Sequence, residues 1–579
     1  MNAALLSLLL FAQDDTSEAA RVVVQHEARG KPFDTFARQF MQFLTEKERF
    51  SRYRGPDGRE VVVFPTDDPV FALLKMIAQP GEVRELRFIK ITHPGLKKTF
   101  GLDENLTYYS LADLQPLEEK FMEIARTVDP EDATTEQRAV LKIISQFRQI
   151  QALHRERLLT IIPIPFGKEN GWMTPADVRP WLAGVTANDS RSMDTAAALE
   201  KYVGSSGDRR QALQAVIDHW TRAVAAFANG DLALFKGLAD ELRALNPRAY
   251  PPEERVQTEL RYNRFNPFHW VSYVLFIAVL LYLMAIAFES KRVGWIAWSV
   301  VTGAVGLMVY GGALRWQIAD RVPLSNHYES MMMCGLAACV LTSIIERFMR
   351  APHVVGLAGS IVAFILVTLA NTVPAFAEQG FVAPLVPALQ SFWMKIHVPI
   401  IMSGFAMGMV LAVLGHIHFI RIIFGKADAA WVAKIDRIMY RVLQVCVLKL
   451  LIGIILGAVW AGEAWGRPWG WDMKETWALI TLLCYLATLH ARFVGILKPF
   501  SHSFCSLISF QILILTYYGV NFLFGKGLHT YGFGSGDWFY LTCFFVFEAL
   551  LLGVATAVHM SRGAPPAPAG DPYAMRTEE

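Results

Sequence analysis

No cysteine occurs in the first 333 residues of this 579-residue chain; all six stand between Cys334 and Cys543. The first half therefore has no disulfide to hold it and must fold on its hydrophobic core alone. No C-x-x-C occurs anywhere, which excludes a dithiol redox motif and a C-x-x-C-H site for covalent haem in this chain. Charge is scarce as well: 55 Lys+Arg against 52 Asp+Glu leave a net +3, and charged residues are 18% of the chain. Soluble domains average about 25%. Near neutrality gives nucleic acid no electrostatic footing as a partner. The 53% hydrophobic content excludes a disordered chain. An integral membrane protein is what these exclusions leave.

The composition is uneven along the chain. Up to about Arg264 no uncharged apolar run approaches span length, and segments such as FPTDDP and RTVDPEDATTEQR are densely charged. Segments 209–227 and 231–245 have the apolar spacing of helices, while 61–64 and 86–91 suit short strands. Residues 14–265 are expected to form a mostly helical soluble domain. The apolar opening MNAALLSLLLFA, within 1–13, reads as a signal or anchor segment, or as the end of an upstream span. It is shorter than the roughly 20 residues that cross a bilayer.

From Phe268 apolar runs recur at about 268–288, 293–314, 330–345, 354–371, 397–424, 442–462, 476–494, 504–524 and 538–560. The third and fourth are short for spans. Basic residues (Lys291, Arg292, Arg347, Arg350, the 421–441 segment, Arg492, Lys498, Arg562) fall on alternate connections. By the positive-inside rule that face is cytoplasmic, and connections 315–329, 372–396, 463–475 and 525–537 face outward. The expected architecture is an all-α polytopic membrane protein. About nine transmembrane helices over 266–561 follow an N-terminal extracytoplasmic domain, and a disordered cytoplasmic tail covers 562–579. The expected location is a bacterial inner membrane.

Five of the fifteen tryptophans, Trp460, Trp465, Trp469, Trp471 and Trp477, lie in one outward segment. One or two indoles would be an ordinary interfacial belt. Five, interleaved with Gly462, Gly466 and Gly470, suit an apolar shelf for a large flat aromatic ligand. Arg467 and Lys474 could pair with carboxylates on that ligand; a solvated loop charge and a snorkelling lysine are the plainer alternatives. Asp472 and Glu475 could orient those basic groups or cap the following helix.

Most of the fourteen histidines have plain explanations. His26, His93, His154 and His219 read as surface or satisfied residues, and His416, His418 and His502 as charged interfacial ones. His397 and His529 share the outward face of the tryptophan loop, and His490 stands within a span, where an ionisable group is a functional candidate. Two imidazoles converging on an apolar shelf are what bis-histidine ligation of haem iron requires. Lys449 and Glu548, also within spans, could pair with each other or line a path.

The run WGRPWGWDMKETWALI…LH closely resembles the WWD motif of the cytochrome c assembly family of haem-handling membrane proteins. PLSNHYES (323–330), LVPALQSFWMKIHV (385–398) and GLHTYGF (527–533) resemble, in order, the other signatures of its CcsA/ResC, system II branch. The resemblance covers about 265–560. ARGKPFDTFARQF (28–40) weakly resembles an extracytoplasmic region attached to some such proteins. The resemblance implies that His397 and His529 ligate haem b, as bound substrate, beside the WWD loop, and that His490 belongs to an inner haem site. It implies a holocytochrome c synthase (haem lyase) activity: haem is carried outward and its vinyl groups are presented to the thiols of an apocytochrome c C-x-x-C-H segment. The substrate's thiols are the nucleophiles, and no residue of this chain takes that role.

Two departures stand out. Met473 occupies a position where the family usually has Pro, and no second inner-site histidine is evident, His269 being a weak candidate at the outer end of its run. A CcsB/ResB-like subunit is the expected partner, with membrane lipid around the chain and a thiol reductant as a further docking candidate. The competing readings are a system I haem-delivery or lyase component and a non-catalytic b-type haem protein or assembly scaffold.

Overall fold

The computed structural model describes residues 16–129, 133–166, 171–185, 190–204, 206–349, 353–385, 387–523 and 538–562. The opening apolar segment, the stretch holding His529 and all of the expected tail except Arg562 lie outside the described residues. The chain divides into two compact units, Met1–Phe265 and Asn266–Glu579.

The first unit is mostly helical, with four two-stranded antiparallel hairpins. One core runs from Ala19 to Val256, built around Phe33, Phe36, Phe40, Trp220 and Phe235. Segment 209–227 is helical as its spacing predicts, within Gly207–Phe227. Segment 231–245 is broken: Gly237, at φ +82°, separates a short 3-10 turn from helix Leu238–Leu245. Left-handed backbone at that position favours glycine, and it ends the helical run. Strand Glu60–Val62 overlaps only the first two residues of 61–64, and strand Ile89–Lys90 covers two residues of 86–91. With no disulfide, buried ion pairs tie distant parts of the unit together. Arg29 grips Glu259 through two bonds of 2.7 and 2.8 Å, and Thr35 donates to the same carboxylate at 2.8 Å.

Among the described residues, nine helices of the chain are long and apolar enough to cross a membrane. In the second unit they are α1 (Pro267–Ala287), α2 (Lys291–Ala319), α3 (His327–Met349), α4 (Val354–Thr372), α5 (Met394–Ile423), α6 (Ala429–Trp465), α7 (Met473–Phe493), α8 (Pro499–Phe522) and α9 (Trp538–Arg562). The third run is long enough because His327 and the polar residues after it extend the α3 helix, and the fourth is a 19-residue helix. α1 shows why these sequences suit lipid. Val271, Leu275, Ala278, Tyr282 and Ala285 form its buried stripe, while Trp270, Phe276, Leu280 and Leu283 on other faces are exposed. A helix apolar all round is a core or membrane helix.

α5 is the most enclosed helix, packed by α3, α4, α6, α8 and α9. Its contact with α6 is close because glycines face backbone. An ideal Cβ on Gly404 would lie 3.0 Å from the Leu450 nitrogen, and one on Gly453 would lie 2.9 Å from the Ile401 Cα. Small residues allow this approach where lipid supplies no hydrophobic drive between helices.

Polar side chains inside the bundle are paired across helices. At the end carrying the basic connections, Asp436 on α6 accepts from Arg492 on α7 and from His502 on α8, the latter at 2.7 Å. His418 on α5 is bonded to Ser503 on α8 at 2.7 Å, and His416 to Glu548 on α9 at 2.9 Å. The expectation that His416, His418 and His502 are charged interfacial residues is corrected for two of them: His418 and His502 are 1% and 0% exposed, while His416 is half-buried. Glu548 pairs with His416 and not with Lys449. At the opposite end Glu329, 3% exposed, accepts from Arg315 at 2.7 Å and Arg321 at 3.2 Å.

Candidate functional site

The tryptophan-rich segment joins α6 to α7. α6 ends at Gly466, whose φ of +71° supplies the left-handed cap that stops a helix. α7 begins with a reciprocal capping box. Asp472 accepts from the Glu475 amide at 2.9 Å, and the Glu475 carboxylate accepts from the Asp472 amide at 3.4 Å and the Gly470 amide at 2.6 Å. Asp472 and Glu475 therefore do cap the helix, one of the two roles open to them in the sequence.

His397, on the first turn of α5, lies against one face of α6. Its Nδ1–H donates to the Gly453 carbonyl at 2.8 Å, which fixes the proton on Nδ1 and places the lone pair on Nε2. The ring sits over Gly457, where an added Cβ would come within 2.8 Å of it, and lies parallel to the Trp460 indole. Gly453, Gly457 and Trp460 are spaced i, i+4, i+7, one helical face. Trp460 is 1% exposed, donates its indole N–H to the Ala388 carbonyl at 3.1 Å, and carries Trp465 edge-on against it.

A cavity of about 180 Å³ opens beside this face. It is lined by His397, Trp460, Trp469, Lys474 and Glu475, and by His327 on α3. Lys474 donates to the Thr516 carbonyl at 3.2 Å and to Asn521 at 3.1 Å. Thr516 belongs to a π-helical turn, Leu515–Gly519, which also presents Tyr517 to the cavity. Such turns favour functional sites. Two buried polar atoms of lining residues, the Trp469 indole N–H and Glu475 Oε1, have no hydrogen-bond partner among the described residues.

Among the described residues, the remaining sequence candidates lie off the cavity. Trp465 backs Trp460, and Trp477 stands on the first turns of α7. Trp471 is 70% exposed and sits in left-handed backbone at φ +58°. Arg467 is folded onto its own loop: its guanidinium fills the space a Cβ on Gly470 would need. His490 is exposed on α7, bonded to the Leu486 carbonyl of its own helix at 2.9 Å. His269 is also exposed, against Trp270 and Tyr273. His529 and Lys526 lie outside the described residues. Arg315 and Arg321, at the end opposite the basic connections, are both engaged by Glu329.

His327 is the residue the sequence reading did not single out, although it stands within PLSNHYES. It is 9% exposed and caged by Phe376, Tyr517 and Phe522 at ring distances of 4.7–5.2 Å. Its signal was positional, a histidine at the outward start of an apolar run, just like His397.

The cytochrome c assembly protein family model matches residues 324–529. The CcsA cytochrome c biogenesis protein of Mesostigma viride is 33% identical over 297 residues, covering 45% of this chain and 93% of that relative. The CcsA of Parasynechococcus marenigrum (strain WH8102) is 32% identical over 313 residues, covering 47% of this chain and 99% of its own. This chain belongs to the CcsA family of cytochrome c biogenesis proteins. Among solved structures, the cytochrome c haem lyase CcmF is similar at TM-score 0.38 and 16% identity, over 51% of this chain and 50% of that one. The matched family segment begins at the connection before α3 and takes in His327, His397, the tryptophan loop and His490. As nine apolar helices and the CcsA relatives indicate, the family member is an integral membrane protein.

Proposed function

We propose that this chain is the haem-handling subunit of a system II holocytochrome c synthase. Haem enters from the cytoplasmic side near His490, moves outward and is held at the tryptophan loop by His397 and His529 for attachment to apocytochrome c. The observation that carries this reading is the set of groups around the outer cavity. His397 has its tautomer fixed with the lone pair on Nε2, two indoles lie beside it, and Lys474 supplies a cation for a propionate. The indole N–H of Trp469 without an acceptor suits an anionic or carbonyl oxygen.

At about 180 Å³ the cavity is smaller than the roughly 300–1,000 Å³ of ordinary ligand pockets. A porphyrin is therefore gripped along one part of its rim while the rest stays outside, open to a peptide. Catalysis is then mostly positioning, which raises the effective concentration of thiol at vinyl. In the bond-forming step the S–H adds across the vinyl C=C, sulfur to the inner carbon and the proton to the terminal one. The addition needs no oxidant. It does need reduced thiols, so a thiol reductant is a natural partner. His490, exposed on α7, suits an inner site completed by a histidine of a CcsB/ResB-like subunit.

The test is coexpression with a CcsB/ResB-like subunit and an apocytochrome in a host lacking other assembly systems. Covalent haem on the apocytochrome, lost with His397→Ala, is expected. A chain that binds haem but never yields holocytochrome would be a b-type haem protein or scaffold instead.

A further inference from the structure

A second cavity, of about 700 Å³, opens at the other end of the bundle, between α1, α2, α3, α4, α5 and α6. It is far larger than the outer one, and His397 of the proposed outer site does not line it. Its rim carries Lys291, Arg347, Arg421 and Lys434 from four different helices or their ends. Its two carboxylates are Glu289 and Glu346. Glu346 is already engaged, accepting from Tyr282 at 3.2 Å and bonded to His353 at 2.9 Å. Arg421 lies 4.4 Å above the Trp431 ring, and Lys291, Arg347 and Lys434 have no acidic partner among the described residues. Cations are expected at this end of a membrane protein, but an ordinary positive-inside charge lies in a loop facing water. Here four converge on one recess.

The recess is also aromatic. Trp295, Trp298 and Trp431 line it, and the Trp298 indole N–H is buried with no acceptor among the described residues. Phe288, Phe348 and Phe424, at the same ends of α1, α3 and α5, are 73%, 83% and 72% exposed, as suits side chains meeting acyl chains. An occupant must therefore carry an anionic, hydrogen-bond-accepting head and an apolar body continuous with the bilayer. Haem shares the first property. Yet the one histidine lining the cavity among the described residues is committed to the protein: His353 packs its ring on Gly294, where a Cβ would lie 2.1 Å from Nε2, and bonds Glu346 through Nδ1.

We infer that this cavity binds an acidic phospholipid, with the phosphate held among Lys291, Arg347 and Lys434, the Trp298 N–H donating to a headgroup oxygen, and the acyl chains leaving along α2. Basic recesses between spans are where anionic headgroups are recognised.

The test uses the full chain, purified in detergent, stripped of lipid and titrated with phosphatidylglycerol, phosphatidylcholine or haem, with native mass spectrometry counting what remains bound. Wild type is expected to retain phosphatidylglycerol at least five-fold better than phosphatidylcholine. Lys291→Gln/Arg347→Gln/Lys434→Gln is expected to abolish that preference. Trp298→Phe, which keeps the ring and removes the donor, lowers retention about two-fold and leaves folding intact as a check on the triple variant. Lys498→Gln, an exposed cation at the same end and off the cavity, is expected to change nothing. The inference is overturned if the triple variant keeps the preference, if Lys498→Gln loses as much, or if haem displaces the lipid from wild type.

Discussion

The imidazole of His397 lies parallel to the indole of Trp460, with 6° between the planes and 6.2 Å between the ring centres. The two residues come from different helices and are 63 positions apart. The pair is set by α6, which offers the Gly453 carbonyl, the flat surface of Gly457 and the Trp460 ring in one line. The orientation of this histidine is therefore set by a helix that contributes no histidine.

Gly457→Ala should act on His397 without touching its chemistry. The new methyl would stand 2.8 Å from the imidazole, so the ring must swing off the α6 face. The expected outcome is loss of most bound haem absorbance in the purified protein, with the α-helical circular dichroism of wild type. Gly457→Ala protein with wild-type haem content would show that this orientation is not needed.

Glu475→Gln keeps the shape of the cap but removes the charge beside the Gly470 and Asp472 amides. Loss of an N-terminal cap costs about 0.5–2 kcal/mol. The loop between α6 and α7 is expected to exchange amide protons faster over 466–475, readable by hydrogen exchange, while the remainder of α7 is unchanged.

Asp436→Asn should be among the most damaging single changes in the bundle. Arg492 and His502 both depend on that carboxylate, and the His502 side chain is 0% exposed. Breaking a buried pair from one side costs about 3–5 kcal/mol. Detergent unfolding titrations should show that loss. The double change Asp436→Asn/Arg492→Gln is expected to recover part of it, because no uncompensated charge then remains.

Acid should loosen the first unit before neutral or basic pH does. The Glu27 carboxyl is brought down to about 2, chiefly by the His26 imidazole 3.6 Å away, with burial opposing and Lys31 assisting. Burial works against the Glu46 carboxylate too, but Lys90 and Lys142 together hold it below its ordinary value. A carboxyl lowered on folding stabilises above its unfolded pKa, near 4.5, and that contribution disappears as pH falls through the folded value. Unfolding of this unit, followed by hydrogen exchange in the peptides holding Glu27 and Glu46, is expected to become easier between about pH 4.5 and 2. Glu46→Gln should flatten part of that response.

Much of this protein was legible in its sequence. Length and continuity of apolar runs specify spans, because every backbone polar group in lipid must bond within its own helix. The five indoles, three interleaved glycines and an acidic cap single out the tryptophan loop as a candidate site from residue types alone. The sequence could not show which of those indoles meet the cavity. Trp460 and Trp469 line it, whereas Trp471 is turned out, a difference made by two backbone angles at the loop's end. Nor could it show that His416, His418 and His502 are paired across helices, since their partners Glu548, Ser503 and Asp436 lie 132, 85 and 66 residues away. The linear pattern determined the class of fold and the loop where its chemistry gathers. The tertiary structure alone decided which groups meet there, bringing His327 to the cavity that His397 lines and fixing the His397 tautomer, because a helix's periodicity reports which face is apolar but not what stands opposite it.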